Sequence, residues 1–150
     1  MQKITTFLSY NDQAAQAVEL YTSLFPGSKV LNTLKVDGKV LTIDFELAGQ
    51  RYVAMNGGPP FTFAMGISLQ VNCESQAEID RLWDGLLANG GKPNACGWLT
   101  DRFGVSWQIT PTILPKLLMD KDPGRADRAM KAMMNMIKLD IAELERAANG

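Results

Sequence analysis

The chain has 150 residues, a formal net charge of −1, 46% hydrophobic residues and no histidine. This balance excludes the basic surface of a nucleic-acid-binding protein, and no apolar run reaches the roughly 20 residues of a membrane span. The lack of histidine removes the commonest metal ligand and the commonest general base. Cys73 and Cys96 are too few for a disulfide framework, and the strand-like pattern that begins at Ile4 leaves no room for a signal peptide. We therefore expect a cytoplasmic protein with reduced thiols.

The first part of the chain predicts a strand, a helix and three further strands. Residues 4–10 are rich in β-forming residues, and Asp12 is expected to cap a helix that Pro26-Gly27 ends. The helix is indicated by apolar residues at helical spacing, namely Ala14, Ala17, Val18, Tyr21, Leu24 and Phe25. Asp37-Gly38 is typical of a tight hairpin turn between strands. The three strands are predicted at 29–36, 39–47 and 51–56.

The same order then repeats after a break at Gly57-Gly58-Pro59-Pro60, which we expect to be the loop between the two halves. Residues 66–72 predict a strand, and Ser75 with Glu78 forms a capping box at the start of the next helix. That helix carries an apolar stripe of Ile79, Leu82, Trp83, Leu86 and Leu87. Short strands are predicted near 92–95, 97–100 and 105–110. Both halves therefore read as βαβββ modules.

The C-terminal tail is predicted to be helical. Thr112 starts a short helix, and Asp122-Pro123 is a cap followed by proline at the first helical position. An apolar stripe over roughly six turns then predicts one long helix. Its members are Met130, Met133, Met134, Ile137, Ile141 and Leu144. The stripe fits packing on the domain's own sheet as well as packing on a second subunit, because methionine fills irregular gaps in either setting.

The most distinctive stretch is the hairpin at 96–109, which holds two of the chain's three tryptophans. Asp101-Arg102-Phe103-Gly104 predicts a tight turn in which Gly104 takes a positive φ. Pro111 ends the returning strand because proline cannot donate to a strand ladder. The rest of the chain is interpreted as the scaffold that places this hairpin.

These residues resemble the PhnB-like branch of the vicinal oxygen chelate superfamily, which includes glyoxalase I, extradiol dioxygenases and bleomycin-resistance proteins. The similarity lies first in Cys96-Gly97-Trp98-Leu99, Asp101, Gly104, Ser106-Trp107-Gln108-Ile109 and Pro111. It extends to Gly57-Gly58-Pro59 followed by Phe61 and Phe63, then Ser68-Leu69-Gln70-Val71, Cys73-Glu74, Gln76, Asp80-Arg81-Leu82-Trp83, Gly90-Gly91, and Met136 with Lys138-Leu139-Asp140-Ile141. Members of this branch are often labelled demethylubiquinone methyltransferase-like.

The resemblance implies an α+β fold in which two βαβββ modules form a cupped mixed sheet, with C-terminal helices added. It implies a single domain over 1–150, with module one at about 1–57, module two at about 66–111 and a helical tail at about 112–148. The two cups would together form the cavity where the superfamily binds substrate. Such proteins usually form homodimers, sometimes by exchanging halves.

The superfamily's metal ligands lie on the first and last strands of each module. Matching these positions strand by strand gives Thr6, Gly66, Gln108 and either Tyr52 or Ala54. None of these is a histidine or a carboxylate, and a divalent metal needs several such ligands that converge. We therefore predict no metal. The methyltransferase label implies a methyl donor, but the sequence has no glycine-rich loop after a first parallel strand, so we also predict no cofactor.

Alternation along the strands from these positions predicts which side chains line the cup. The predicted inward set is Thr6, Tyr52, Asn56, Ser68, Gln70, Ser106 and Gln108. The predicted opposite set, under the helices, is Phe7, Val53, Ile67, Leu69, Val71, Trp107 and Ile109. The inward set fits a solvated face without a ligand, or a pocket whose amide and hydroxyl groups orient a small organic molecule. We favour the pocket, with Thr6, Tyr52, Asn56, Ser68, Gln70 and Gln108 as ligand-binding residues.

Other candidates have simpler explanations. Cys73 and Cys96 lack a histidine partner and fit buried apolar positions. Asp44 and Glu46 fit acid–base work or the wet side of a strand. Trp98 fits the mouth of the pocket as well as packing against the tail.

Three functions follow from this sequence: an enzyme that works through carboxylates, Tyr52 or water; a protein that sequesters a ligand; or a structural protein that binds a partner through the tail. The metal-dependent lyase or dioxygenase activities of the superfamily, and the methyltransferase activity of the label, are the alternatives. A titratable group with a shifted pKa inside the cup would favour an enzyme.

Overall fold

The computed structural model describes residues 2–58 and 60–150. The chain divides into two compact units, Met1–Thr62 and Phe63–Gly150, and each contains one βαβββ module. The predicted α+β fold with two modules and C-terminal helices is confirmed. The predicted loop between the halves includes Pro59, which lies outside the described residues.

The first unit is a four-stranded mixed sheet with one helix. Strand β1 is parallel to β4, the other pairs are antiparallel, and the strand order is β1-β4-β3-β2. The elements are β1 Thr6–Tyr10, α1 Ala14–Leu24, β2 Lys29–Val36, β3 Lys39–Leu47 and β4 Gln50–Asn56. The predicted hairpin turn joins β2 and β3, with Asp37 at φ 51° and Gly38 at φ 77°.

Strand β2 forms the outer edge of this sheet. All eight of its residues are exposed, although four of them are the large apolar residues Val30, Leu31, Leu34 and Val36. Its pairing with β3 shifts register twice, between Val30 and Asn32 and between Leu34 and Lys35. Such irregularities bend an edge strand and interrupt its hydrogen-bond ladder.

One face of the first sheet packs against α1. The helix contributes the buried residues Ala14, Ala17, Val18 and Tyr21, and it lies against β3 and β4. The sheet contributes Leu8, Tyr10, Ile43, Phe45 and Leu47, each 8% exposed or less. The Tyr10 and Tyr21 hydroxyls are 3.3 Å apart, so both phenols keep a hydrogen bond inside this apolar layer.

The second unit repeats the arrangement. Strand β5 is parallel to β8, and the strand order is β5-β8-β7-β6. The elements are β5 Ser68–Cys73, α2 Gln76–Leu87, β6 Lys92–Pro93, β7 Trp98–Thr100 and β8 Ser106–Pro111. The predicted start of α2 is confirmed, because Ser75 Oγ accepts from Glu78 N at 3.2 Å. The Glu78 carboxylate accepts from Glu74 N at 2.8 Å, one residue before the Ser75 amide that a capping box would use.

The tail belongs to the second unit and consists of α3 Leu114–Leu118, α4 Pro123–Met134 and α5 Ile141–Asn149. The prediction of one long helix is wrong, because α4 ends at Met134 with Asn135 as its C-cap. A new helix then begins after Asp140, whose side chain caps it by accepting from Glu143 N at 2.9 Å. The tail has its own apolar cluster of Leu114, Leu117, Ala129, Leu139, Leu144 and Ala148. The predicted stripe residues Met130, Met134 and Ile137 are 42–62% exposed.

None of the helices in the described part of the chain combines the length and the apolar character needed to cross a membrane.

Candidate functional site

The two faces of the second sheet differ sharply in chemistry, as the sequence predicts. Leu99, Trp107 and Ile109 are at most 2% exposed and lie on the face covered by α2. Leu69 and Val71 are register partners of Trp107 and Ile109, so they share this face. Ile67 was also predicted there, but it precedes β5 and is 75% exposed. The apolar side of this module is therefore predicted correctly within its strands.

The opposite side of the sheet carries Ser68, Gln70, Trp98, Ser106 and Gln108, and we call it the polar face. Register pairs Ser68 with Ser106, Gln70 with Gln108, and Gln108 with Trp98, so these side chains leave the sheet on one side.

The geometry of the polar face is partly fixed by side-chain hydrogen bonding. Gln108 Nε2 donates to Ser68 Oγ at 2.9 Å, which holds the amide of the central strand in one orientation. Ser106 is 3% exposed, Ser68 and Gln108 are half-buried, and Gln70 is exposed. The face thus carries uncharged donors and acceptors that range from buried to exposed, and they lie beside the half-buried Trp98.

The prediction for the first sheet has the two faces reversed. Parallel pairing places Thr6 opposite Tyr52 and Leu8 opposite Ala54, and the alternation puts all four on the side that α1 covers. Phe7, predicted under the helix, is 57% exposed on the other side. Val53 is buried but shares that other side with Phe7. The structure therefore does not bring Thr6, Tyr52 or Asn56 onto the open face of their own sheet.

Asn56 has a clear structural role. Its Oδ1 accepts from Ala14 N at 2.8 Å, and its Nδ2 contacts Val40 O at 3.4 Å. The prediction that Asp12 caps α1 is therefore wrong: the residue before the helix is Gln13, its side chain makes no capping bond, and the cap comes from the end of β4. The side chain of Asn56 ties three elements of the module together.

Tyr52 is also part of the packing. Its ring stacks on Phe45 with 5.6 Å between the ring centroids, and burial raises the pKa of its phenol. A phenol with a raised pKa stays neutral at physiological pH and is a poor general base.

The first unit contains an open cleft of about 600 Å³ beside the start of α1. It is lined by Asn11, Asp12, Ala15, Gln16, Val36, Lys39, Val40, Leu41, Asn56 and Gly57. Of the predicted ligand-binding residues it includes Asn56, whose amide is already engaged in capping. Most of the other lining residues are exposed, so the cleft is a surface groove rather than an enclosed pocket.

The residues at the superfamily's metal positions do not fit a divalent metal. Thr6 lies on the helix-covered face, and the side chains on the open face at the same height are Phe7 and Val53, which have no donor atom. In the second sheet the matching position is Gln108, whose amide already bonds Ser68. Among residues 2–58 and 60–150, no group of three His, Cys, Asp or Glu side chains is placed to hold a metal ion.

The two candidate carboxylates, Asp44 and Glu46, form ion pairs, and one of the two cysteine thiols is buried. On the open face of the first sheet, Asp44 pairs with Arg51 at 3.4 Å and Glu46 pairs with Lys29 at 3.6 Å. Burial raises the pKa of the Cys73 thiol to about 12, which leaves it protonated and unreactive.

Asp101 does more than form the turn that the sequence predicts. It is 3% exposed, and its Oδ1 accepts from Phe103 N at 2.9 Å and from Val105 N at 3.0 Å. Its Oδ2 accepts from the Trp107 indole at 2.9 Å. The predicted positive φ of Gly104 is confirmed at 95°. The sequence signal for this network was the presence of a tryptophan on the strand that follows an Asp-turn.

Comparison with known proteins agrees with this fold. A sequence model of the family described as 3-demethylubiquinone-9 3-methyltransferase matches residues 2–110. The PhnB protein from Bacillus cereus is 35% identical, with a TM-score of 0.70 over 74% of this chain and 100% of that one. The chain belongs to this family. It is thus PhnB-like. No curated protein matches the chain.

More distant structures share the fold of this PhnB-like chain. A glyoxalase/bleomycin resistance protein from Albidiferax ferrireducens is 16% identical, with a TM-score of 0.50 over 71% of this chain and 95% of its own. The fosfomycin resistance protein FosX from Listeria monocytogenes is 15% identical, with a TM-score of 0.54 over 77% of this chain and 97% of its own. The family match ends at residue 110, so the three tail helices lie beyond it.

Proposed function

We propose that this PhnB-like protein binds a small organic molecule on the polar face of its second sheet, without a metal. The observation that carries the proposal is the fixed Gln108–Ser68 pair, at 2.9 Å, beside an exposed Gln70 and a half-buried Trp98. Ligand sites combine an apolar wall with a few positioned polar groups, and this face has both. The ligand-binding residues are then Ser68, Gln70 and Gln108, while Thr6, Tyr52 and Asn56 belong to the scaffold.

The chemistry of the face favours a neutral, planar ligand with carbonyl or hydroxyl groups. Amide and hydroxyl side chains donate and accept without carrying charge, and an indole provides a stacking surface. Lys92, paired in register with Thr100 in the edge strand, is the one Lys or Arg that β5 to β8 carry. The family description names a demethylubiquinone, whose ring has this character, and we use the fully methylated, reduced form of that ring as the probe.

The test is a titration of the full chain, followed by NMR, with 2,3-dimethoxy-5-methylhydroquinone kept reduced by ascorbate so that it does not add to thiols. We expect shifts at the side-chain amides of Gln70 and Gln108 and at the Trp98 indole. Gln70→Leu should weaken binding about tenfold, because the ligand loses one hydrogen bond and its polar group is left without a partner. Gln16→Leu, an exposed helical glutamine, is the matched control and should bind as wild type. Shifts confined to the cleft beside α1, or no binding, would refute the proposed site.

A second test uses the protein as purified from cells. Native mass spectrometry together with metal analysis reports the subunit count, bound metal and any retained small molecule. We propose a metal-free homodimer from the reducing cytoplasm, in keeping with the superfamily resemblance and the two free cysteines. Stoichiometric zinc, nickel or iron that is lost in Gln108→Ala would refute the metal-free proposal and favour the lyase or dioxygenase alternative.

The family description also supports a methyltransferase as a second candidate. In this fold, however, the residues between β1 and α1, and those between β5 and α2, contain no glycine, so neither connection forms the glycine-rich turn that lets a backbone approach a bound nucleotide. Isothermal titration with S-adenosylhomocysteine distinguishes the candidates. We expect no binding, and micromolar affinity would favour the methyltransferase.

A further inference from the structure

The segment Met136–Ile141 lies in the tail, between α4 and the first residue of α5, and it contacts the second module. We call it the clasp segment. Cys96 N donates to Met136 O at 2.9 Å, and Gly97 N donates to Ile137 O at 2.7 Å. Two successive backbone amides of the turn before β7 are therefore satisfied by the tail. These bonds fix the backbone immediately before Trp98.

A single side chain holds the other end of the clasp segment. Gln76, in the first turn of α2, donates from Nε2 to Leu139 O at 3.0 Å and accepts at Oε1 from Ile141 N at 2.9 Å. Both ends of its amide are used on the tail, 63 and 65 residues away in sequence. Lys138 adds an ion pair with Asp80 at 2.7 Å.

Gly97 is the point where the tail and the sheet meet. It has a φ of 82°, and its carbonyl accepts from Ile109 N at 2.8 Å. A Cβ at this position would lie 2.9 Å from Ile109 O and 2.9 Å from the Cγ and Cδ1 atoms of Leu139. The side chain of Leu139 is fully buried. Only glycine allows the clasp segment and β8 to approach the turn from both sides.

We propose that the clasp segment is a positioning device for the polar face: by holding Cys96 and Gly97, it sets the orientation of Trp98 beside Gln108. Gln76 and Lys138 are the positioning residues, and both anchor the segment on the C-terminal side of Ile137. The consequence for ligand binding rests on the proposed function, but the orientation of Trp98 does not. The clasp segment lies beyond residue 110, where the match to the family model ends, although Lys138-Leu139-Asp140-Ile141 belongs to the resemblance described above.

The test labels the full chain with 5-fluorotryptophan and compares wild type with Gln76→Ala by fluorine NMR. The chain has three tryptophans. Trp83 and Trp107 are 6% and 2% exposed in the core, so they serve as internal controls for the fold. We expect the Trp98 resonance to shift or split while the other two stay in place. Gln16→Ala, on α1, is the matched control and should leave all three resonances unchanged.

Hydrogen exchange measures release of the segment independently. In Gln76→Ala we expect the Cys96 and Gly97 amides to exchange roughly tenfold to thirtyfold faster, since two hydrogen bonds that hold the segment are lost. Asp80→Lys should act in the same direction, and adding Lys138→Asp should restore part of the slow exchange and of the Trp98 resonance position; the restoration is partial because Asp80 also accepts from Gln76 Nε2 at 3.1 Å, which a lysine cannot do. A merely local loss of stability would not be rescued by exchanging the charges.

Two results would overturn the inference. Faster exchange at Cys96 and Gly97 with an unmoved Trp98 resonance would show that the clasp segment does not position the indole. Unchanged exchange in Gln76→Ala would show that Gln76 does not hold the segment. Neither readout needs a ligand. A failure of hydroquinone binding with the expected Trp98 response would refute the proposed function alone.

Discussion

Replacing Asp101 with asparagine should destabilise the hairpin at the centre of the second module. The carboxylate is 3% exposed and accepts three hydrogen bonds, two from backbone amides and one from the Trp107 indole. Asp101→Asn keeps the shape of the side chain but turns one acceptor oxygen into an NH2 group. Whichever way the amide is oriented, that NH2 replaces an acceptor oxygen and faces at least one N–H donor.

The expected loss follows from two contributions. A hydrogen bond to a charged acceptor contributes about 1.5–3 kcal/mol, and a buried group left unpaired costs about 1–3 kcal/mol. Since the hairpin can relax in part, we expect the free energy of unfolding to fall by about 3–4 kcal/mol. For a chain of this length that corresponds to a drop in Tm of about 10 °C. The change is large beside a total stability of about 5–15 kcal/mol.

Urea unfolding followed by tryptophan fluorescence and by circular dichroism measures this loss. Asp84→Asn, on the exposed side of α2, is the matched control and should stay within about 0.5 kcal/mol of wild type. Trp107→Phe removes the indole donor, so in the double variant part of the Asp101→Asn loss should disappear. If Asp101→Asn unfolds within 0.5 kcal/mol of wild type, or if the two substitutions are additive, the carboxylate does not hold the hairpin in the way described.

Three further predictions concern other parts of the chain. Asn56→Ala should lower stability by about 1 kcal/mol through loss of the α1 cap, measured by thermal unfolding; equal stability would mean that the helix start is capped otherwise. In native protein at pH 8, iodoacetamide should label Cys96 but leave Cys73 intact, because burial raises the pKa of Cys73 to about 12; mass spectrometry of labelled peptides decides this. Hydrogen bonds lower the pKa of Asp80, the larger effect coming from Lys138 and the smaller from Gln76. The ionised carboxylate therefore adds to the free energy of unfolding in full above about pH 4, and this addition is lost as the pH falls below that. The stability difference between wild type and Asp80→Asn should therefore shrink on acidification from pH 5 to pH 2, and a constant difference would contradict the assignment.

The sequence predicts the second sheet well because its strands alternate without ambiguity. Along β8, Trp107 and Ile109 are large and apolar, whereas Ser106 and Gln108 are polar, so each residue type has one suitable face. The turn residues Asp101 and Gly104 mark where the hairpin reverses.

The first strand is ambiguous, and there the prediction is wrong. Phe7, Leu8 and Tyr10 are all β-forming and apolar, so alternation alone does not say which parity is buried. Matching Thr6 to a superfamily ligand position imposed the incorrect parity. The signal that settles it is tertiary: Tyr10 meets Tyr21 of α1, and a shift of one residue would exchange the two faces completely.

The sequence does contain a local signal for the break between α4 and α5, but the apolar spacing continues across it and favours a single helix. Asp140 and Glu143 have the spacing of a helix start, and Asp140 does cap α5. The position of Gln76 could not be predicted in this way, because its bonds to Leu139 and Ile141 join residues more than sixty positions apart. Contacts of this kind depend on the assembled fold and leave no periodic trace in the sequence.

The irregular edge strand β2 has a consequence for solubility. A straight strand with four exposed apolar side chains would serve as a template on which other chains could extend the sheet without limit. The two register shifts interrupt that template, and Lys29 and Lys35 add charge along the same edge. These two features oppose extension of the sheet at β2, so they offset the hazard of an apolar edge.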